Sequence, residues 1–263
     1  MRRSARIGFA DKREGDARPV NMIVERLRPE NNQRAQLGNL MDPQTLLARR
    51  IGRWSAIALV AIALVYVGAG AIWLASNTDP ARARGLQPSE PYLSILEILI
   101  LLTTPALIAL FAAIHAYAPP DRKTCGLAAL GFVVLLVALT GSVHFVQLTV
   151  VRRTASATVA EVFALYTSDN RLSAALAVEL LGWDFFFGFA LLFAAPVFKG
   201  DKLQALVRAG LTVCGLLCLA GVAGPASGDM RFQLPAIMGY AFGFPFVCLL
   251  LTKLFTRSDK RVG

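Results

Sequence analysis

The sequence predicts an all-α, polytopic integral membrane protein: a bundle of six transmembrane helices with both termini in the cytoplasm. Three observations carry that expectation. Hydrophobic residues make up 56% of the 263-residue chain and charged residues only 17%, whereas soluble globular chains carry about a quarter charged residues. The apolar residues gather into six continuous runs of roughly 20 residues, the length a helix needs to span about 30 Å of hydrocarbon. Basic residues concentrate on alternate sides of these runs, as the positive-inside rule expects. The runs lack two-residue alternation, which excludes a transmembrane barrel, the other form that can satisfy its backbone in lipid.

Residues 1–50 are polar and Arg-rich, with Gly, Pro and Asn scattered through them and no core-forming period. They read as a disordered basic cytoplasmic segment. No apolar stretch follows the first basic residues closely, so no secretory signal peptide is expected. Met41 opens MDPQTLLARRIGRW directly ahead of the first run, a pattern that points to residues 1–40 as an over-extended gene start.

The membrane domain, residues 51–256, contains runs at Trp54–Ser76, Leu93–Ala118, Cys125–Val151, Leu172–Phe198, Leu206–Gly224 and Leu234–Phe255, and residues 257–263 form a short basic tail. With the N-terminus inside, 21 of the 27 Lys and Arg fall on the cytoplasmic side and 6 outside, and starting at Met41 leaves 12 against 6. The net charge of +10 is therefore a set of topology signals rather than a nucleic-acid face. Arg152 and Arg153, at the outer end of the third run, are the exception. The loop they open carries Val159, Val162, Phe163 and Tyr166 at helical spacing, suited to a short interfacial helix. Cys125, Cys214, Cys218 and Cys248 lie in or beside apolar runs, where cysteine acts as a small hydrophobe.

The fourth run, LSAALAVELLGWDFFFGFALLFAAPVF, is long enough to span yet holds Glu179 and Asp184. A charge at the centre of a membrane helix costs about 2.5–3.5 kcal/mol on insertion scales, so such groups face a bundle interior, a cavity or a partner. At the helical rise, Glu97 and Gln147 lie about 6 Å below the outer surface, His144, Glu179 and Tyr240 about 10 Å, and Asp184 about 18 Å. Ionisable groups on three helices at similar depth predict a shared polar cavity opening outward, with the hydroxyl of Tyr240 as a further donor. Glu97 is the member nearest the interface.

His144 is the expected partner of Glu179, since the third and fourth runs are consecutive and antiparallel and the two residues lie at nearly equal depth. Gln147 shares the histidine's helix face. Asp184 sits about 140° around the helix from Glu179, so the two acids should meet different neighbours. His115, the only other histidine, belongs near the cytoplasmic end of its helix, over about 15 Å from His144 along the membrane normal, which excludes a bis-histidine haem. No cofactor is implied. A metal site of His144, Glu179 and Asp184 is a weak alternative, because neither HExxH nor GxSxG is present.

Gly239 and Gly243 form a GxxxG, a close-approach surface that could pair helices of two copies in a homo-oligomer. Pro105 and Pro245 fall inside their runs and predict kinks. Trp183 and Phe185–Phe187 read as lipid-facing or packing residues. The leading functional reading is a small-molecule or ion transporter or ligand-binding protein of the plasma membrane, with His144, Glu179 and Asp184 lining the cavity and relaying protons. An intramembrane metal-dependent hydrolase is the second reading. An assembly protein with purely structural polar contacts is the third.

Overall fold

The computed structural model describes residues 43–76, 90–154, 157–165 and 172–259. The basic segment 1–42, where most of the expected disorder falls, lies outside them, as do Tyr166 of the interfacial loop and residues 260–263 of the tail. Every described element is helical, and six helices are long and apolar enough to cross a membrane. The protein is thus a multi-pass membrane protein in contact with the bilayer.

Helix α1 runs Pro43–Ser76, α2 Tyr92–Tyr117 and α3 Lys123–Thr149. A short α4, Ala157–Phe163, lies in the loop after α3. Three further spans follow: α5 at Ala174–Val197, α6 at Lys202–Gly221 and α7 at Met230–Arg257. α1 begins at Pro43, before the expected Trp54, because Leu46, Leu47 and Ile51 continue the apolar pattern between Arg49, Arg50 and Arg53. The first helix thereby takes in residues assigned from sequence to the disordered segment.

Local chemistry sets the other ends. Ser173 caps α5 by accepting from Leu176 N at 3.0 Å, and Asp201 caps α6 by accepting from Gln204 N at 3.0 Å. At the end of α2, Lys123 Nζ donates to the carbonyls of His115 and Ala116 at 3.0 and 2.9 Å, satisfying acceptors a helix terminus leaves over. Gly228, at φ 74°, closes the short helical segment Ala223–Ser227 in the left-handed conformation that glycine adopts without strain. Inside α2, Pro105 has no N–H for the Leu101 carbonyl, and the Thr104 hydroxyl donates to that oxygen at 2.8 Å instead.

The spans pack as a ring in chain order: α1 on α2, α2 on α3, α3 on α5, α5 on α6, α6 on α7, and α7 back on α1. In the half that holds the start of α1 and the end of α7 the ring is filled. Phe111, Phe187 and Phe244 meet there, the rings of Phe187 and Phe244 4.8 Å apart and nearly perpendicular, above a layer of Ile114, Leu251 and Phe255. The outer face carries exposed Leu64, Leu102, Val134, Phe145, Leu216 and Phe246, as a lipid-facing surface should.

The GxxxG does its work inside this ring. A Cβ on Gly239 would meet the Cys214 carbonyl at 3.0 Å, and one on Gly243 would meet Cys214 Sγ at 2.6 Å. Both glycines let α7 approach α6 within one chain, so the surface expected to pair two copies is already occupied. Cys214 and Cys218 are the small side chains on the other side of that seam.

Candidate functional site

In the half of the ring away from the start of α1 and the end of α7, the helices part around a cavity of about 920 Å³. α1 contributes Leu59, Ile62 and Tyr66, and α2 contributes Ile100, Thr103 and Leu107. α5 presents Leu176, Glu179 and Trp183, while α7 presents Gln233, Ile237 and Tyr240. Leu59, Leu107 and Phe244 floor it, so it ends on the filled half of the ring. Gly228, Asp229 and Arg231 form its rim.

The most polar stretch of wall is held by three helices. His144 of α3 has Nδ1 against Glu97 Oε2 of α2 and Nε2 3.0 Å from Glu179 Oε1 of α5. All three residues are buried, Glu97 with 2% of its surface exposed. Glu97 is thus not an interfacial residue but the second carboxylate of a Glu–His–Glu chain. Two hydrogen bonds to one imidazole need two protons. With both on the imidazole, or one on the imidazole and one on a carboxyl, the group carries one net negative charge.

Glu179 Oε1 is further loaded by Thr140 Oγ1, donating at 2.9 Å, and Trp183 Nε1, donating at 2.6 Å. Thr140 stands one turn before His144 on α3, and Trp183 one turn after Glu179 on α5, so each helix brings its donor on the face that carries its titratable group. Trp183, expected to be a packing residue, is a hydrogen-bond donor in the cavity wall. The second oxygen, Glu179 Oε2, is buried and accepts no hydrogen bond.

Asp184 belongs to a different cluster. It lies in a π-helical turn, Leu181–Phe186, and is fully buried on the side of α5 facing α6 and α7. Gln233 Nε2 of α7 donates to its Oδ1 at 2.8 Å. Position 221 on α6 is glycine because a Cβ there would lie 2.3 Å from Ala236 Cβ, so α7 can close on α6 beside the carboxyl. Asp184 Oδ2 and Gln233 Oε1 are both buried acceptors without a donor. Tyr240, in a second π-helical turn at Met238–Gly243, interacts with Gln233 and is close enough to Asp184 to feel its charge. Its ring lies 5.3 Å from that of Trp183, which joins the two clusters across the wall.

The residues expected from sequence therefore divide. His144, Glu179 and Tyr240 line the cavity; Glu97 and Asp184 stand behind its wall; Gln147 is in neither group. Gln147 Nε2 instead donates to the carbonyl of Phe163, fastening the end of α4 over the bundle, next to Leu165 at the cavity mouth. The metal set of His144, Glu179 and Asp184 does not converge, because both imidazole nitrogens are taken by carboxylates and Asp184 is turned to Gln233. Among the described residues no three His, Cys, Asp or Glu side chains are placed to hold a metal ion. His115 lies 18 residues after Glu97 on α2, about 27 Å along the helix at its usual rise, so the two histidines do not share a site.

Gln233, Thr140, Thr103 and Tyr66 also shape the site and were not singled out from sequence. Thr140 and Trp183 carry a signal in retrospect, being four residues from His144 and Glu179 respectively. Gln233 read as the end of a loop.

At the rim, Arg231 Nε and Nη2 donate to both carboxylate oxygens of Asp229, at 2.9 and 2.6 Å. Hydrogen bonds from the Arg231 side chain and backbone N–H hold the Asp229 carboxyl down to about 2. No protein-family model, no curated protein and no solved structure matches the chain.

Proposed function

We propose that this membrane protein is a small-molecule transporter or ligand-binding protein that takes its ligand into the cavity between α1, α2, α5 and α7, with Glu179 as the anchoring group. The observation that carries the reading is the meeting of a drug-sized cavity with a buried Glu–His–Glu chain whose His144 and Glu179 line its wall. A volume of about 920 Å³ falls in the range of small-molecule pockets, which join apolar walls to a few convergent polar groups. The Glu97–His144–Glu179 chain is also the kind of connected carboxylate and imidazole path along which protons move in transporters.

In this reading both termini are cytoplasmic, the membrane is the plasma membrane, and the cavity opens outward. Charge supports the orientation: Arg49, Arg50, Arg53, Arg122, Lys123, Lys199, Lys202 and Lys253 cluster at the end that holds the start of α1 and the end of α7, against Arg152, Arg153 and Arg231 at the other.

Labelling of single cysteines on intact cells tests it. In a background lacking the four native cysteines, Ile237→Cys in the cavity should react with a membrane-impermeant maleimide added outside, while Leu251→Cys in the filled half should not. Reaction at Ile237→Cys only from the cytoplasmic side would reverse the topology. No reaction from either side would remove the water-accessible cavity.

A further inference from the structure

The charge balance of the cavity wall, taken with its apolar lining, narrows the ligand. Resting on the reading above, we infer that the site takes an amphipathic organic cation, a protonated amine on an apolar body, with the ammonium held beside Glu179.

The Glu97–His144–Glu179 chain has one net negative charge by its proton count, and its Glu179 and His144 line the cavity. Thr140, His144 and Trp183 all meet Glu179 Oε1, which fixes this carboxylate in the wall. Among the described lining residues the rim adds no free positive charge, because Arg231 is tied to Asp229 through both carboxylate oxygens. An anionic ligand would meet one net negative charge in a low-dielectric wall with no cation to balance it. A cation would neutralise the wall.

The aromatic surfaces favour the same charge. Trp183 and Tyr240, 5.3 Å apart, both face the cavity beside Glu179, with Tyr66 on the α1 side, and their π faces attract cations that have left water. The remaining wall, Leu59, Ile62, Leu107, Leu176 and Ile237, offers only apolar contact, which suits a hydrocarbon or aryl body.

The test uses three eight-carbon probes of one shape and different charge: octylammonium, octanol and octanoate. Binding to the purified full-length protein is read by tryptophan fluorescence, to which Trp183 in the wall contributes. Octylammonium should bind about tenfold or more tighter than octanol, the ratio expected for a hydrogen bond to a charged group, and octanoate should bind weakest. Glu179→Gln should close the gap between amine and alcohol while leaving octanol unchanged. The wild-type series decides the matter even where that variant fails to fold. Octanoate binding as tightly as octylammonium would overturn the cation assignment and leave the cavity standing. So would the absence of binding by all three probes while Ile237→Cys still reacts from outside.

Discussion

Glu179 and His144 are 35 residues apart in sequence, yet their side chains meet at 3.0 Å across the α3–α5 contact, and Glu97 closes on the other imidazole nitrogen from α2. One histidine thus links three consecutive spans through groups that are each costly to bury alone.

Removing the imidazole should be the most damaging change at the site. His144→Ala leaves two carboxylates facing each other in a low-dielectric interior, and breaking a buried pair in this way costs about 3–5 kcal/mol. Glu97→Gln and Glu179→Gln keep the shape and a hydrogen-bonding group, so each should cost about 1–3 kcal/mol. Unfolding equilibria in detergent check this ranking, and a His144→Ala protein as stable as wild type would refute the Glu–His–Glu linkage.

Asp184 should behave in the opposite way. Its carboxylate pairs with an amide rather than a cation, and one oxygen on each partner lacks a donor. Asp184→Asn removes the charge and introduces an N–H₂ group to this acceptor-rich pair, so the variant should be at least as stable as wild type. Gln233→Leu, which strips Asp184 of its donor, should cost about 1–3 kcal/mol. The two variants measured side by side separate a structural amide pair from a site that requires the charge.

The α6–α7 seam makes a prediction about glycine. Gly243→Ala places a methyl 2.6 Å from Cys214 Sγ and should destabilise by about 1–3 kcal/mol. The same substitution combined with Cys214→Ala should recover part of that loss. Gly68→Ala on α1, where nothing lies within 4 Å, should stabilise by about 0.5–1 kcal/mol. Thermal denaturation of the three variants checks the contrast.

The rim sets a boundary on pH effects. The folded value of Asp229 is depressed to about 2, so the contribution of its pairing with Arg231 is present above the ordinary carboxylate value and is lost only as pH falls through about 2. Between about pH 5 and 9 the charge of Asp229 is therefore constant. Any change in octylammonium affinity over that window should keep its midpoint in Asp229→Asn. Calorimetric titrations across the window would show it, and a midpoint that moves with Asp229→Asn would contradict this account.

The division of labour between sequence and structure follows from these residues. Apolar run length fixed the six spans, because a backbone in lipid has only one local way to satisfy itself in continuous apolar segments of that length. The cost of an isolated charge was enough to single out Glu97, His144, Glu179 and Asp184, since each needs a partner whatever the packing. Helical rise put His144 and Glu179 at equal depth, and rotation turned Asp184 from Glu179, because both quantities are local.

What periodicity could not supply was which faces meet. Glu97 became the second carboxylate on His144 only when α2 packed on α3, and Gln233 became the partner of Asp184 only when α7 closed on α6. The GxxxG of α7 reads identically whether its partner belongs to another chain or to the same one, and ring closure gave it to α6. The cavity lies where four helices part, and its wall joins residues as far apart in the chain as Leu59 and Tyr240. Those are consequences of contacts between distant segments, which is why the sequence by itself determined the membrane helices and their expensive residues, and the tertiary structure alone decided how those residues are paired and which of them line the cavity.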